Sequence, residues 1–141
     1  MEAVKATRIT VKNTVNAPVK KVWDYWNDPD HITKWNTPHP DWHTPKADND
    51  LRIGGRLVYR MEAKDGSVGF DFSGSYTDVK KHEYIAYSLD DDRKVEIHFE
   101  KQGDQTHITE TFDAENENPV EMQRAGWQAI LDNFKKHTEN N

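Results

Sequence analysis

Between residues 7 and 113 most of the chain alternates apolar and polar side chains, and a helical period replaces that alternation in two places. Residues 7–15 set Ile9, Val11 and Val15 on one face and Arg8, Thr10 and Lys12 on the other, the pattern of a half-buried strand. Asn16-Ala17-Pro18 then opens a short helix whose apolar side is Val19, Val22, Trp23 and Trp26. Asp28-Pro29 ends that helix and caps a second, through about Trp35, with Ile32 and Trp35 inward. Residues 36–45 hold three prolines and read as an ordered loop around Trp42.

Six strands follow in succession. A short one is expected over about 46–52. Gly54-Gly55 turns the chain into a clear strand over 56–63, with Leu57, Tyr59, Met61 and Ala63 inward. Asp65-Gly66 is a hairpin signal. Residues 68–79 return with Phe70, Phe72, Gly74 and Tyr76 on one face, and residues 84–89 with Ile85, Tyr87 and Leu89. After the acidic turn Asp90-Asp91-Asp92, residues 93–100 present Val95, Ile97 and Phe99. Residues 106–113 present Ile108, Glu110 and Phe112. Outward positions on these strands include Asp71 and His98, both read as surface, and no role is expected for His31, His82, His107 or His137.

The last stretch, 118–137, is helical. Asn118 is expected at the N-cap, Pro119 in the first turn, and Glu121 three residues on answers the cap. Val120, Trp127, Ile130, Leu131 and Phe134 share a stripe, with Glu121, Arg124, Gln128, Asp132 and Lys135 opposite. Gly126 sits at the stripe's edge, where another backbone has room to approach, and Gln123 is a polar residue inside the stripe. Strands joined by turns this short must be antiparallel. The sheet carries one large apolar face and the last helix carries the other. The expected fold is therefore α+β: a curved, seven-stranded antiparallel sheet wrapped around a long C-terminal helix, with two short helices between the first two strands.

At 141 residues the chain is most simply one domain, long enough to bury roughly two-thirds of its unfolded surface. Nineteen basic against 25 acidic residues leave a net charge of -6, which argues against nucleic acid as a partner and supplies no polybasic membrane patch. The chain has no cysteine, so thiolate chemistry and disulfides are excluded. Residues 1–13 are mixed and charged, with no apolar leader, and no run approaches a membrane span, so a cytoplasmic monomer is expected. Only 34% of residues are hydrophobic, but five Trp, five Tyr and five Phe carry large areas that suit a cavity wall as well as a core.

Three segments together carry a family resemblance. They are Pro18-Val19-Lys20-Lys21-Val22-Trp23 running through Asp28-Pro29 to Trp35; Asp50-Leu51-Arg52-Ile53-Gly54-Gly55 with its strand and Asp65-Gly66; and Gly126-Trp127 with Ile130, Leu131 and Phe134. In that order and spacing the chain resembles the Hsp90 ATPase activator homologue-like branch of the START/Bet v 1-like (SRPBCC) superfamily, over about residues 7–137. The resemblance implies the helix-grip fold, which agrees with the strand count above. It also implies a cavity between sheet and helix, of the kind the superfamily uses for lipids, sterols and aromatic polyketides. It brings no shared catalytic motif.

Glu110 is the most informative single residue, since alternation puts a carboxyl between Ile108 and Phe112. Such a group is paired, hydrogen-bonded or neutralised. Either it lines a cavity, as a ligand-orienting group or a general acid or base, or a β-bulge turns it to water, or Tyr87, Gln123 or a water satisfies it. Gln123 either meets a ligand carbonyl or hydroxyl or faces solvent at the open end of the helix. His39, Asp41 and His43 alternate around Trp42, but no fourth ligand is marked and no metal is expected. No helix opens after Gly54-Gly55, so no nucleotide cofactor is expected either.

The favoured reading is a small-molecule binder for a hydrophobic, lipid-like or aromatic ligand. Its expected walls are Tyr59, Met61, Phe70 and Phe72 on two strands, then Tyr87, Ile97, Phe99 and Phe112 on three more. Trp127 and Ile130 come from the helix, and Glu110 and Gln123 orient the ligand. Trp35 and Trp42 come from the mouth, expected between the 36–45 loop, the strand turns and the start of the last helix. An ordinary packed core remains the competing reading of the same aromatics. A second hypothesis is a cyclase or isomerase with Glu110 as acid or base. A third is a module acting on an Hsp90-type ATPase, which calls for an exposed patch that the sequence does not display.

Overall fold

Seven strands form one antiparallel sheet in the computed structural model, which describes residues 7–141. Part of the charged start read at residues 1–13 lies outside the described residues. In chain order the elements are β1 (Arg8–Val15), α1 (Val19–Asn27), α2 (Pro29–Trp35), β2 (Trp42–Asn49), β3 (Arg56–Ala63), β4 (Gly69–Lys80), β5 (Tyr84–Leu89), β6 (Lys94–Gln102), β7 (Gln105–Asp113) and α3 (Val120–Asn140). The strands lie in the order β1-β7-β6-β5-β4-β3-β2, so the two helices between β1 and β2 carry the chain from one edge of the sheet to the other. The sheet curls into a half-barrel and α3 closes it, as the two apolar faces demand.

Alternation predicted the inner face well. Ile9, Val11, Leu57, Ile85, Val95, Ile97, Ile108 and Phe112 are all essentially inaccessible, as are Leu131 and Phe134 on α3. Asp28 caps α2 as expected, its carboxylate accepting from the Asp30 N–H at 2.9 Å. Gly54 has φ +83, and a Cβ on Gly55 would lie 2.1 Å from the Asp50 carbonyl oxygen, so this turn needs both glycines.

Three expectations are corrected. Residues 42–45, expected in the loop, belong to β2, where Trp42 pairs with Ala63 and His43 with Glu62 before the register shifts. Pro45 sits in that bulge of an edge strand, where its missing N–H costs the ladder nothing. Secondly, α3 begins at Val120 with Pro119, not Asn118, at the N-cap and no side chain capping it. The preceding turn is held instead by Glu115, whose carboxylate accepts from Asn118 N–H at 2.8 Å and Glu117 N–H at 3.1 Å. The polar side of α3 also reaches β1. Arg124, Gln128 and Lys135 donate to the carbonyls of Thr10, Lys12 and Thr14 at 3.3, 3.2 and 2.6 Å. Alternate carbonyls along the free edge of β1 are thus covered by helix side chains, which blocks pairing with another strand. Finally, His31 and His137 meet, Nδ1 to Nε2 at 2.8 Å, with Tyr25 stacked on His31, and so link α2 to α3.

Where α1 and α2 cover the half-barrel the packing is complete. The Trp26 ring meets those of Trp35, Phe99 and Phe134 at centroid separations of 4.9, 5.6 and 4.8 Å, and Trp23 adds an edge contact to Phe99 at 5.3 Å. No helix among the described residues is long and apolar enough to cross a membrane.

Candidate functional site

Toward the other end of α3 the sheet and helix do not meet fully. A cavity of about 280 Å³ remains between them, open at one side. Its floor is Trp26, Trp35 and Asn36, continuous with the aromatic cluster beneath α1 and α2. The sheet wall is Tyr59 and Met61 from β3, Phe72 from β4, Tyr87 from β5 and Glu110 from β7. The helix wall is Gln123, Gly126, Trp127 and Ile130, and the lip is Pro38, Phe70, Asn118 and Met122. Phe70 and Met122 are 46% and 61% exposed, an apolar rim facing water.

The cavity gathers Trp35, Tyr59, Met61, Phe70, Phe72, Tyr87, Glu110, Gln123, Trp127 and Ile130 from the expected set. Four others lie outside its lining. Phe112 is fully buried behind Trp127, the two rings stacked at 3.8 Å. Ile97 and Phe99 sit deeper in the packed core, Phe99 against Trp23 and Trp26. Trp42 packs edge-on against Phe70 at 6.0 Å, flanking the lip. Phe70 itself is a rim residue more than an inner wall. Sequence reasoning named none of Trp26, Asn36, Pro38, Asn118, Met122 and Gly126 as wall residues, although Asn36, Pro38, Asn118 and Met122 lie on the loop and helix start between which it placed the mouth. The apolar side of α1 was a usable signal for Trp26; nothing in the periodicity marked the loop residues.

Gly126 departs from expectation. No backbone comes near it, and an added Cβ would meet no heavy atom within 4 Å. The glycine leaves space in the wall instead of admitting a close approach.

Glu110 points inward and is 5% exposed, so no bulge turns it out. Its cross-strand neighbours are Val11 and Ile97, and no side chain or backbone group among the described residues donates to its carboxyl. Burial without a partner pushes its carboxyl up to about 8, so at neutral pH it is mostly protonated. The Tyr87 phenol is raised well above its ordinary value by burial and then by the nearby Glu110 charge. Tyr59 is raised by burial, then by Tyr76 and Glu110. All three groups therefore keep their protons in an unfilled site.

Gln123 is buried, and its amide is already engaged. Nε2 donates to the carbonyls of Asn118 at 2.8 Å and Glu115 at 3.1 Å, while Oε1 accepts from Glu115 N–H at 2.8 Å. It forms part of the wall and ties the 115–118 turn to α3; neither of the roles weighed for it from the sequence describes it. His39, Asp41 and His43 diverge: His39 lies 3.4 Å from Asp41, whereas His43 faces Glu62 at 3.7 Å. Among the described residues no group of three or more His, Cys, Asp or Glu side chains is placed to hold a metal ion.

Residues 16–139 match the model of the Activator of Hsp90 ATPase homolog 1-like protein family. The solution structure of an AHSA1-like protein from Aeromonas hydrophila is 42% identical, with 95% of this chain and 93% of that one covered and a TM-score of 0.88. A solution structure from Cytophaga hutchinsonii is 54% identical over 95% of this chain and 93% of that one, with a TM-score of 0.82. A crystal structure from Nitrosomonas europaea, 20% identical with a TM-score of 0.82 over 94% of both chains, shares the fold. A 79-residue stretch is 27% identical to CBL-interacting serine/threonine-protein kinase 14 of Arabidopsis thaliana, covering 56% of this chain and 17% of that kinase. With the family model spanning nearly its whole length, the chain belongs to the Activator of Hsp90 ATPase homolog 1-like family, within the SRPBCC/Bet v 1-like superfamily.

Proposed function

We propose that the protein holds a small, largely apolar molecule, aromatic or lipid-like, between the sheet and α3. The observation that carries this reading is the cavity itself: aromatic side chains that fill the closed end leave about 280 Å³ open at the other. A gap of that size lined by Tyr59, Phe72, Tyr87 and Trp127 favours a ligand with apolar faces, because each wall gains dispersion contacts that an empty site forgoes. The apolar lip of Phe70 and Met122 supports access from the same side. Titration with lipids, flavonoids and polyketide-like aromatics, followed by amide shifts, tests it. Binders are expected to move the amides of Tyr59, Tyr87, Gly126 and Trp127. Silence across the whole set overturns the reading.

One observation favours a second role on the same cavity. Burial brings the Glu110 carboxyl to about 8, close to the range in which a side chain both gives and takes a proton near neutrality. A cyclase or isomerase would use it so. That role requires Glu110→Gln to abolish turnover of a bound aromatic substrate while binding persists. A variant that turns over substrate normally rules it out.

A further inference from the structure

Among the described residues Glu110 is the only acidic one lining the cavity, and no Lys, Arg or His lines it. The carboxyl is buried, yet nothing among the described residues donates to it. Isolated carboxyls are costly to bury, by several kcal/mol or more when charged. The same cavity is lined by six aromatic rings, those of Trp26, Trp35, Tyr59, Phe72, Tyr87 and Trp127, with Phe70 at its lip. Electron-rich ring faces and a lone carboxyl have one kind of ligand in common. We propose that the cavity is built for a hydrophobic organic cation, an aryl- or alkyl-ammonium whose apolar part lies among the aromatic walls and whose charged head meets Glu110.

The proposal rests on the small-molecule reading above and names its ligand class. Ring faces attract ammonium groups, most strongly where water is excluded, and indole is the best of them. A charge-assisted N–H···O bond to carboxylate is roughly twice as strong as a neutral one. An uncharged ketone or alcohol can accept from the protonated Glu110 carboxyl as it can from the Tyr59 and Tyr87 phenols, and so makes no use of the carboxylate charge. The chain's net charge of -6 also favours the approach of cations.

Proton linkage separates the two ligand types. The titratable groups facing Glu110 are the phenols of Tyr59 on β3 and Tyr87 on β5, with Tyr76 of β4 beside Tyr59. Strands β1 and β6 place Val11 and Ile97 opposite it, and α3 contributes Gln123, Trp127 and Ile130, none of them ionisable. The unfilled site holds a proton on Glu110 up to about pH 8. An ammonium displaces that proton, so its affinity rises by about tenfold per pH unit below that point and levels off above it. A neutral hydrogen-bond acceptor needs the proton kept, and its affinity falls above the same point.

The test is calorimetric titration with tryptamine and with tryptophol, which differ in ammonium against hydroxyl, across pH 6 to 9 and in buffers of different ionisation enthalpy. Tryptamine is expected to bind at least tenfold more tightly at the alkaline end and to release close to one proton per molecule bound at neutral pH. The near-isosteric Glu110→Gln variant is expected to lose that proton release and to drop tryptamine affinity tenfold or more, with a much smaller change for tryptophol. The wild-type proton count needs no variant, so a misfolded mutant does not cloud it. Equal binding of the two compounds, or a tryptamine affinity that ignores pH, overturns the ammonium class while leaving the small-molecule reading intact. If neither compound binds and the wider library is also silent, both fail together.

Discussion

The two ends of the half-barrel are built from the same kinds of side chain and come out differently. At the end covered by α1 and α2, Trp26, Trp35, Phe99 and Phe134 interlock edge to face and are 6% exposed or less. At the other end Tyr59, Phe72, Tyr87 and Trp127 stand around open space, with Phe72 and Trp127 only partly buried. Aromatic content does not distinguish them. The difference is what covers the half-barrel: two short helices at one end, and at the other the loop at Asn36 and Pro38 and a turn pinned by Gln123 and Glu115. Large rings pack solidly when a second layer presses on them and wall a cavity when it does not.

The sharpest way to break the comparison is to delete one ring. Phe134→Ala is expected to destabilise the protein by about 3–5 kcal/mol in urea unfolding, since its neighbours are locked and cannot collapse into the hole. Phe72→Ala, beside space that already exists, should cost clearly less. Equal losses would show that both ends are packed alike.

Glu110 supplies the next effect. Its carboxyl is raised from 4.5 to about 8 on folding, so between those values the folded protein holds a proton that the unfolded chain has lost. Stability therefore falls as pH rises through that window and is flat above it, the reverse of a salt-bridged acid, with a total change of a few kcal/mol. Urea titrations of wild type and Glu110→Gln across the window measure it. The variant's curve should lack that slope.

Gln123→Ala removes three hydrogen bonds to the 115–118 turn and is expected to cost about 1–3 kcal/mol. Amide exchange of Asn118 should quicken with it. Gly126→Ala carries the smallest effect and the opposite sign. Space lies beyond the helix there, so an alanine should stabilise by about 0.5–1 kcal/mol, read as a raised melting temperature. A loss instead would mean that the wall is closed at that point.

Much of the architecture was legible in the chain because alternation assigns each side chain to a face. That was enough for seven strands, the central helix and an inward Glu110. It was also enough to gather most of the cavity wall, since Tyr59, Phe72 and Tyr87 had to face the helix. Face, however, carries no depth. Ile97, Phe99 and Phe112 share the inner face with Tyr87 and Glu110, yet the stacked Trp127 hides Phe112, and Ile97 and Phe99 lie in the packed core. Gln123 was legible as a polar intruder, but its partners are backbone groups of a turn with no pattern of its own. The grip of Arg124, Gln128 and Lys135 on the edge of β1 was equally hidden, because the strand and helix involved are more than 100 residues apart.

Residue order alone therefore determined which elements form and which face each side chain takes, with Glu110 inward unless a bulge intervened. Only the closed structure decided how far sheet and helix approach, and so which rings pack and which enclose space. Periodicity is a property of neighbours a few residues apart, whereas the gap between two surfaces depends on everything that holds them at a distance.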